Sequence, residues 1–195
     1  MNVEVYPLHW LQSGAIALGL APLTVQVARW SGLAAAVLLI GLCAVWPRRQ
    51  PAVRRAILHA LAAGGLSWLL AVLVGGAFPI PHPAQTSGGL VQPLVPTPAS
   101  SAFPARSGAF LFGAAAGLWG AGGDAVFLGM AYAVLAALAQ MAAGLEAPSD
   151  ELGALLLGVS STVAVLLAQG AIAGPIEALL RLGGWKVRQG RKSLR

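Results

Sequence analysis

Between Trp30 and Trp46 the chain reads SGLAAAVLLIGLCAV without a charge, and four more apolar runs follow, from Ala56, Gly108, Ala125 and Glu151. That repetition constrains the fold more than any other feature. A helix satisfies its backbone hydrogen bonds internally, so it is what a continuous apolar run adopts where water is absent. Sixteen rises of about 1.5 Å set roughly 24 Å between the two tryptophans, which suits a slightly thinned hydrocarbon core with an aromatic residue at each interface. Only 9% of the 195 residues are charged, against about a quarter in soluble domains. The expectation is an all-α, polytopic transmembrane helical bundle forming one domain over residues 1–195.

The cations give this bundle a direction. Of twelve Lys and Arg residues, Arg48, Arg49, Arg54 and Arg55 share the short loop 47–55, and six lie in the tail 174–195; Arg29 and Arg106 stand apart. Such clusters mark cytoplasmic segments, so the loop and the tail are expected on the cytoplasmic side of a bacterial inner membrane. The net charge of +6 lies beside apolar runs rather than in an aromatic-interleaved patch, which argues against nucleic acid. The expected partner is the lipid bilayer, with another membrane protein or complex as a second candidate.

Five spans follow from this pattern. Residues 1–29 lack a basic leader and are interrupted by Pro22, so they are read as an interfacial helix over Tyr6 to Arg29. Residues 30–78 hold the first two spans, and 108–173 the last three, the third of them short. Between them lies an outer loop, 79–107, with seven of the 13 prolines; each removes a donor and restricts its predecessor, so no helix continues through it. Asp124 is expected to cap the fourth span, and Ser160, Ser161 and Thr162 to bond within the fifth span or across to a neighbour. Gly113-x-x-x-Gly117 and Gly170-x-x-x-Gly174 suit close helix packing. Cys43 is the lone cysteine, and the three histidines, His9, His59 and His82, are scattered, so neither a disulfide framework nor a metal site is expected.

The polar residues that matter cluster between Phe103 and Asp150. The segment AQMAAGLEAPSD places Ala139, Gln140, Glu146 and Asp150 at the spacing Ser-Arg, five residues, His, three residues, Asp. Upstream, Phe103 and Pro104 open a segment with Ala105, Arg106 and Ser107 where Ser-Gly-His would stand. In this frame the chain resembles the type 2 phosphatidic acid phosphatase (PAP2) superfamily, and within it small undecaprenyl-diphosphatase-like membrane enzymes. The family's first motif, Lys, six residues, Arg-Pro, has two placements here: Ile80-Pro81 with Leu73, or Gln92-Pro93 with Gln85. Neither supplies a cation.

The resemblance implies a helical membrane fold and a phosphohistidine mechanism, with a nucleophilic histidine, an orienting aspartate, a histidine acid and cations for the phosphate. Carried across, Asp150 alone is retained. Glu146 occupies the nucleophile's slot, Gln140 an arginine's and Ser107 the acid's. The expectation is a degenerate member with no catalytic set and no cofactor, serving as a scaffold, accessory subunit or lipid-headgroup binder. An active lipid phosphatase with a non-standard site is the alternative. Arg106, Glu146 and Asp150 are expected to form a polar cluster, structural or binding, with His82 able to face them from the outer loop.

Overall fold

The computed structural model describes residues 4–45, 50–97, 100–168 and 171. Seven helices and no strand occur among them: α1 (Val5–Ala17), α2 (Ala21–Val45), α3 (Pro51–Ala77), α4 (Pro83–Thr86), α5 (Arg106–Gly117), α6 (Gly123–Ala142) and α7 (Pro148–Leu167). Four of them, α2, α3, α6 and α7, are long and apolar enough to cross a membrane. The chain is an all-helical integral membrane protein.

The helix termini correct several sequence-based boundaries. The interfacial segment ends at Ala17, and residues 21–29 belong to the first span. Gly19 makes the break at φ +68, a conformation that side chains disfavour. Pro22 then falls in the first turn of α2, where its missing N–H leaves no helical bond unmade. Pro51 likewise opens α3, so Arg54 and Arg55 lie on that helix and not in a loop. Pro148 opens α7, which puts Asp150 in its first turn instead of in the preceding connection. Asp124 stands in the first turn of α6, and Gly122 occupies the cap without a side-chain bond. Residues 46–49, which include Arg48 and Arg49 of the basic loop, the end of the expected last span and the tail with Gly170-x-x-x-Gly174 lie outside the described residues.

Helix α5, expected as a short third of five spans, is not among the four helices long enough to cross a membrane and is instead the centre of the bundle. At twelve residues and about 1.5 Å per residue, α5 measures roughly 18 Å. A 3-10 turn, Leu118–Ala121, extends it. Gly108, Ala109, Leu111, Phe112, Gly113, Ala114, Ala115 and Gly117 are all buried, so α5 faces protein over most of its surface and has no need to match the bilayer's thickness. Lipid tails are as apolar as the side chains, so association here depends on close packing rather than on water exclusion. The glycines supply it: a Cβ at Gly117 would lie 2.6 Å from Ala60 Cα on α3, and one at Gly158 of α7 would lie 2.6 Å from Gly113 N. Ser67 Oγ donates to Ala109 O at 2.6 Å, and Thr162 Oγ1 to Gly113 O at 3.1 Å and Gly158 O at 3.0 Å. Thr162 thus bonds within its own helix and across to α5.

The proline-rich segment packs over one end of this bundle. Val91, Val95, Ala102 and Pro104 are buried in it. Helix α1 clips it down: Gln12 Nε2 donates to Gln92 O at 2.5 Å, and Gln92 N donates back to Gln12 Oε1 at 3.1 Å. A bond from Leu94 N to Ala143 O ties it to the α6–α7 connection. Each bond satisfies a backbone group that proline-rich sequence cannot pair by itself.

Candidate functional site

Two halves of the chain meet at the start of α5. Ala105 N donates to Asp150 O at 3.2 Å, which joins the Phe103 segment to the first turn of α7. Beside this junction is a cavity of about 810 Å³ whose lining includes Arg106, Ser107, Gln140, Glu146 and His82. The sequence spacing therefore brings together what it was read to bring together, with one exception. Asp150 does not line this cavity. It is 3% exposed, its Oδ2 accepts from Ala147 N at 2.7 Å, and it borders a separate 250 Å³ cavity with Glu4 and Ser149. Pro148 starts the helix early enough to turn the Asp150 carboxylate back onto the chain as a cap, so Asp150 stands behind Glu146, close enough to act on its carboxyl, without lining the cavity.

Each remaining polar group has a distinct environment. Ser107 Oγ donates to Gln140 Oε1 at 2.7 Å, which fixes the amide and leaves Gln140 Nε2 buried without a hydrogen-bond partner. Glu146 Oε2 is also buried without one. Burial, reinforced by Asp150 and Glu151, pushes the Glu146 carboxyl well above the usual carboxylate range, while Arg106 pulls it down. Loss of hydration disfavours the charged form, and the Arg106 guanidinium favours it. His82 is 2% exposed; Nδ1 faces Leu145 O at 2.6 Å and Nε2 faces Ser100 O at 2.9 Å. Its ring borders the cavity, and its nitrogens face carbonyls of the α6–α7 connection and of the proline-rich segment; a neutral imidazole donates to one of the two.

The cavity has a second, apolar end. Leu33 and Ala36 of α2 and Gly65 and Trp68 of α3 carry it between these two helices. Arg29 and Trp30 stand at its side, the guanidinium 6.0 Å from the indole centroid, a distance that permits a cation–π contact. Arg29 escaped the sequence reading because it was assigned to an interfacial helix. Glu151 escaped it too: 6% exposed, with both carboxylate oxygens lacking a hydrogen-bond partner, it occupies space that Gly108 leaves open. An acidic residue opening an apolar run was the available signal. Neither placement of the first motif reaches the cavity lining; Leu73 and Ile80 are exposed, and Gln92 is bonded to Gln12.

A helical membrane bundle with a small-residue helix at its centre and a polar cavity under an outer loop is the class that fold and site define. The crystal structure of Aquifex aeolicus LpxE has this fold: the two superpose with a TM-score of 0.70 at 20% identity, over 85% of this chain and 96% of that one. This likeness shows a shared fold. No family model matches the sequence, and no curated protein does.

Proposed function

We propose that this chain is a non-catalytic, PAP2-like integral membrane protein that binds a lipid headgroup in the cavity beside α5. One observation carries this reading. Ser107 is held on the Gln140 amide and both His82 nitrogens are turned to carbonyls, so among the described residues of the cavity no base is bonded to a nucleophile. An activated nucleophile needs a base within hydrogen-bond reach. Losing a covalent nucleophile typically costs on the order of a millionfold in turnover.

The fold shared with LpxE, together with the motif frame that holds Gln140 and Glu146, supports a PAP2-like reading and favours a lipid ligand. In this reading the protein sits in a bacterial inner membrane, with loop 47–55 and the tail cytoplasmic and the cavity at the opposite face. Service as a scaffold or accessory subunit is compatible with the same site. The alternative of an active lipid phosphatase draws on the meeting of Arg106, Glu146 and His82 around one cavity.

Phosphate release decides between the two. Purified protein, given undecaprenyl diphosphate and phosphatidate beside an active superfamily enzyme, is expected to release no more phosphate than its Asp150→Ala variant. Release abolished by Glu146→Gln or Arg106→Gln would establish the enzyme instead.

A further inference from the structure

The polar end of the cavity is unevenly charged. Arg106 is half-buried in the first turn of α5, whereas Arg29 is exposed on α2. The other groups at that end are uncharged or acidic: Ser107 and Gln140 bonded together, Gln140 Nε2 buried and unpartnered, and Glu146 with an unpartnered Oε2. Behind Glu146 stand Asp150 and Glu151 of α7, and His82 is engaged on the loop.

From this arrangement we propose that the cavity retains the intact headgroup of a monoanionic phosphodiester lipid and discriminates against dianionic phosphomonoester lipids. The inference rests on the headgroup-binding reading above and adds the charge class of the ligand. One guanidinium matches a phosphodiester, whose two free oxygens accept its paired N–H groups while the single charge is neutralised. Gln140 Nε2 gains the acceptor it lacks, and Glu146 lies beside a phosphate that carries no second charge. A monoester brings that second charge toward three carboxyl groups, with a single half-buried guanidinium to offset it. The apolar end, between Leu33 and Ala36 on one helix and Gly65 and Trp68 on the other, holds the start of an acyl chain, so the diester comes from a lipid and not from a soluble phosphate.

The test uses the full-length protein in detergent with equimolar phosphatidylglycerol and phosphatidate at about pH 8, where a phosphomonoester carries close to two charges. Bound lipid is counted by native mass spectrometry. Phosphatidylglycerol is expected in excess by about tenfold, and Arg106→Gln to reduce its retention by a similar factor. Glu146→Gln, which removes an acidic group without removing volume, is expected to keep phosphatidylglycerol and to raise the share of phosphatidate. Soluble glycerophosphoglycerol is expected not to compete. Equal or greater retention of phosphatidate by the unaltered protein would overturn the charge assignment and leave headgroup binding standing. Retention of neither lipid would overturn both, and displacement by the soluble diester would remove the lipid as its source.

Discussion

Helix α5 has two unlike sides. Toward α3 and α7 it is clasped so closely that Gly113, Gly117 and Gly158 leave no room for a methyl group. Toward α2 it borders the cavity, and there Ser107 and Phe110 meet open space as well as protein. The difference is one of side-chain volume and polarity. Where backbones touch, dispersion at short range holds the helices, and every added atom displaces something. Where the cavity is kept, the large side chains of Trp30, Trp68 and Phe110 line it, and Ser107 bonds to Gln140 of α6. Gly32 marks the boundary: a Cβ there would sit 3.4 Å from Ser107 Cβ, an ordinary contact.

The largest expected effect is on the clasped side. Gly117→Leu would force atoms into Ala60, and a loss of more than about 3 kcal/mol is expected, seen as aggregation on gel filtration. Gly32→Ala, on the boundary, is expected to stay monodisperse. Equal behaviour of the two would break the comparison.

Next comes the pH dependence of the cavity side. Glu146 holds its proton in the folded state above its ordinary value of 4.5, so above that pH the folded state binds more protons than the unfolded one. Stability from this group is fully present below 4.5 and declines as pH rises through the folded value. Thermal unfolding in detergent across that range should show the decline, and Glu146→Gln should flatten it. A slope of the opposite sign would mean that Arg106 keeps the carboxyl ionised.

A smaller effect is expected at Ser67, whose hydroxyl bonds to Ala109 O within the clasp. Ser67→Ala should cost about 1 kcal/mol, since the carbonyl loses a donor without a cavity opening. The smallest change in stability belongs to Ala36→Trp at the apolar end of the cavity. It should stay within about 0.5 kcal/mol and yet abolish lipid retention by filling the groove. Retention unchanged by this substitution would sharpen the picture by moving the acyl chain elsewhere.

Much of this architecture was legible beforehand. The apolar runs gave the four long helices, the prolines gave the segment without a long helix between α3 and α5, and the spacing of Gln140, Glu146 and Arg106 gave three members of one cavity. Helix starts were less legible, because a proline reads as a break in sequence but opens a helix when it occupies the first turn, as Pro22, Pro51 and Pro148 do. That one ambiguity moved Arg29 into a long apolar helix and placed Asp150 behind the cavity lining instead of on it. His82 was read as able to face the carboxylates; its two backbone contacts depend on where Leu145 and Ser100 come to lie, which no local pattern encodes.

By itself, then, the sequence determined that this chain is a helical bundle in a membrane and which polar residues gather at one end of it. Those follow from hydrophobic run length and residue spacing, which act locally along the chain. Tertiary structure alone decided that α5 lies at the centre, that a cavity opens toward α2, and which carboxyl groups stay unpaired. These depend on how closely helices distant in sequence approach, and that distance is set by the side chains both partners present, or omit, at each contact.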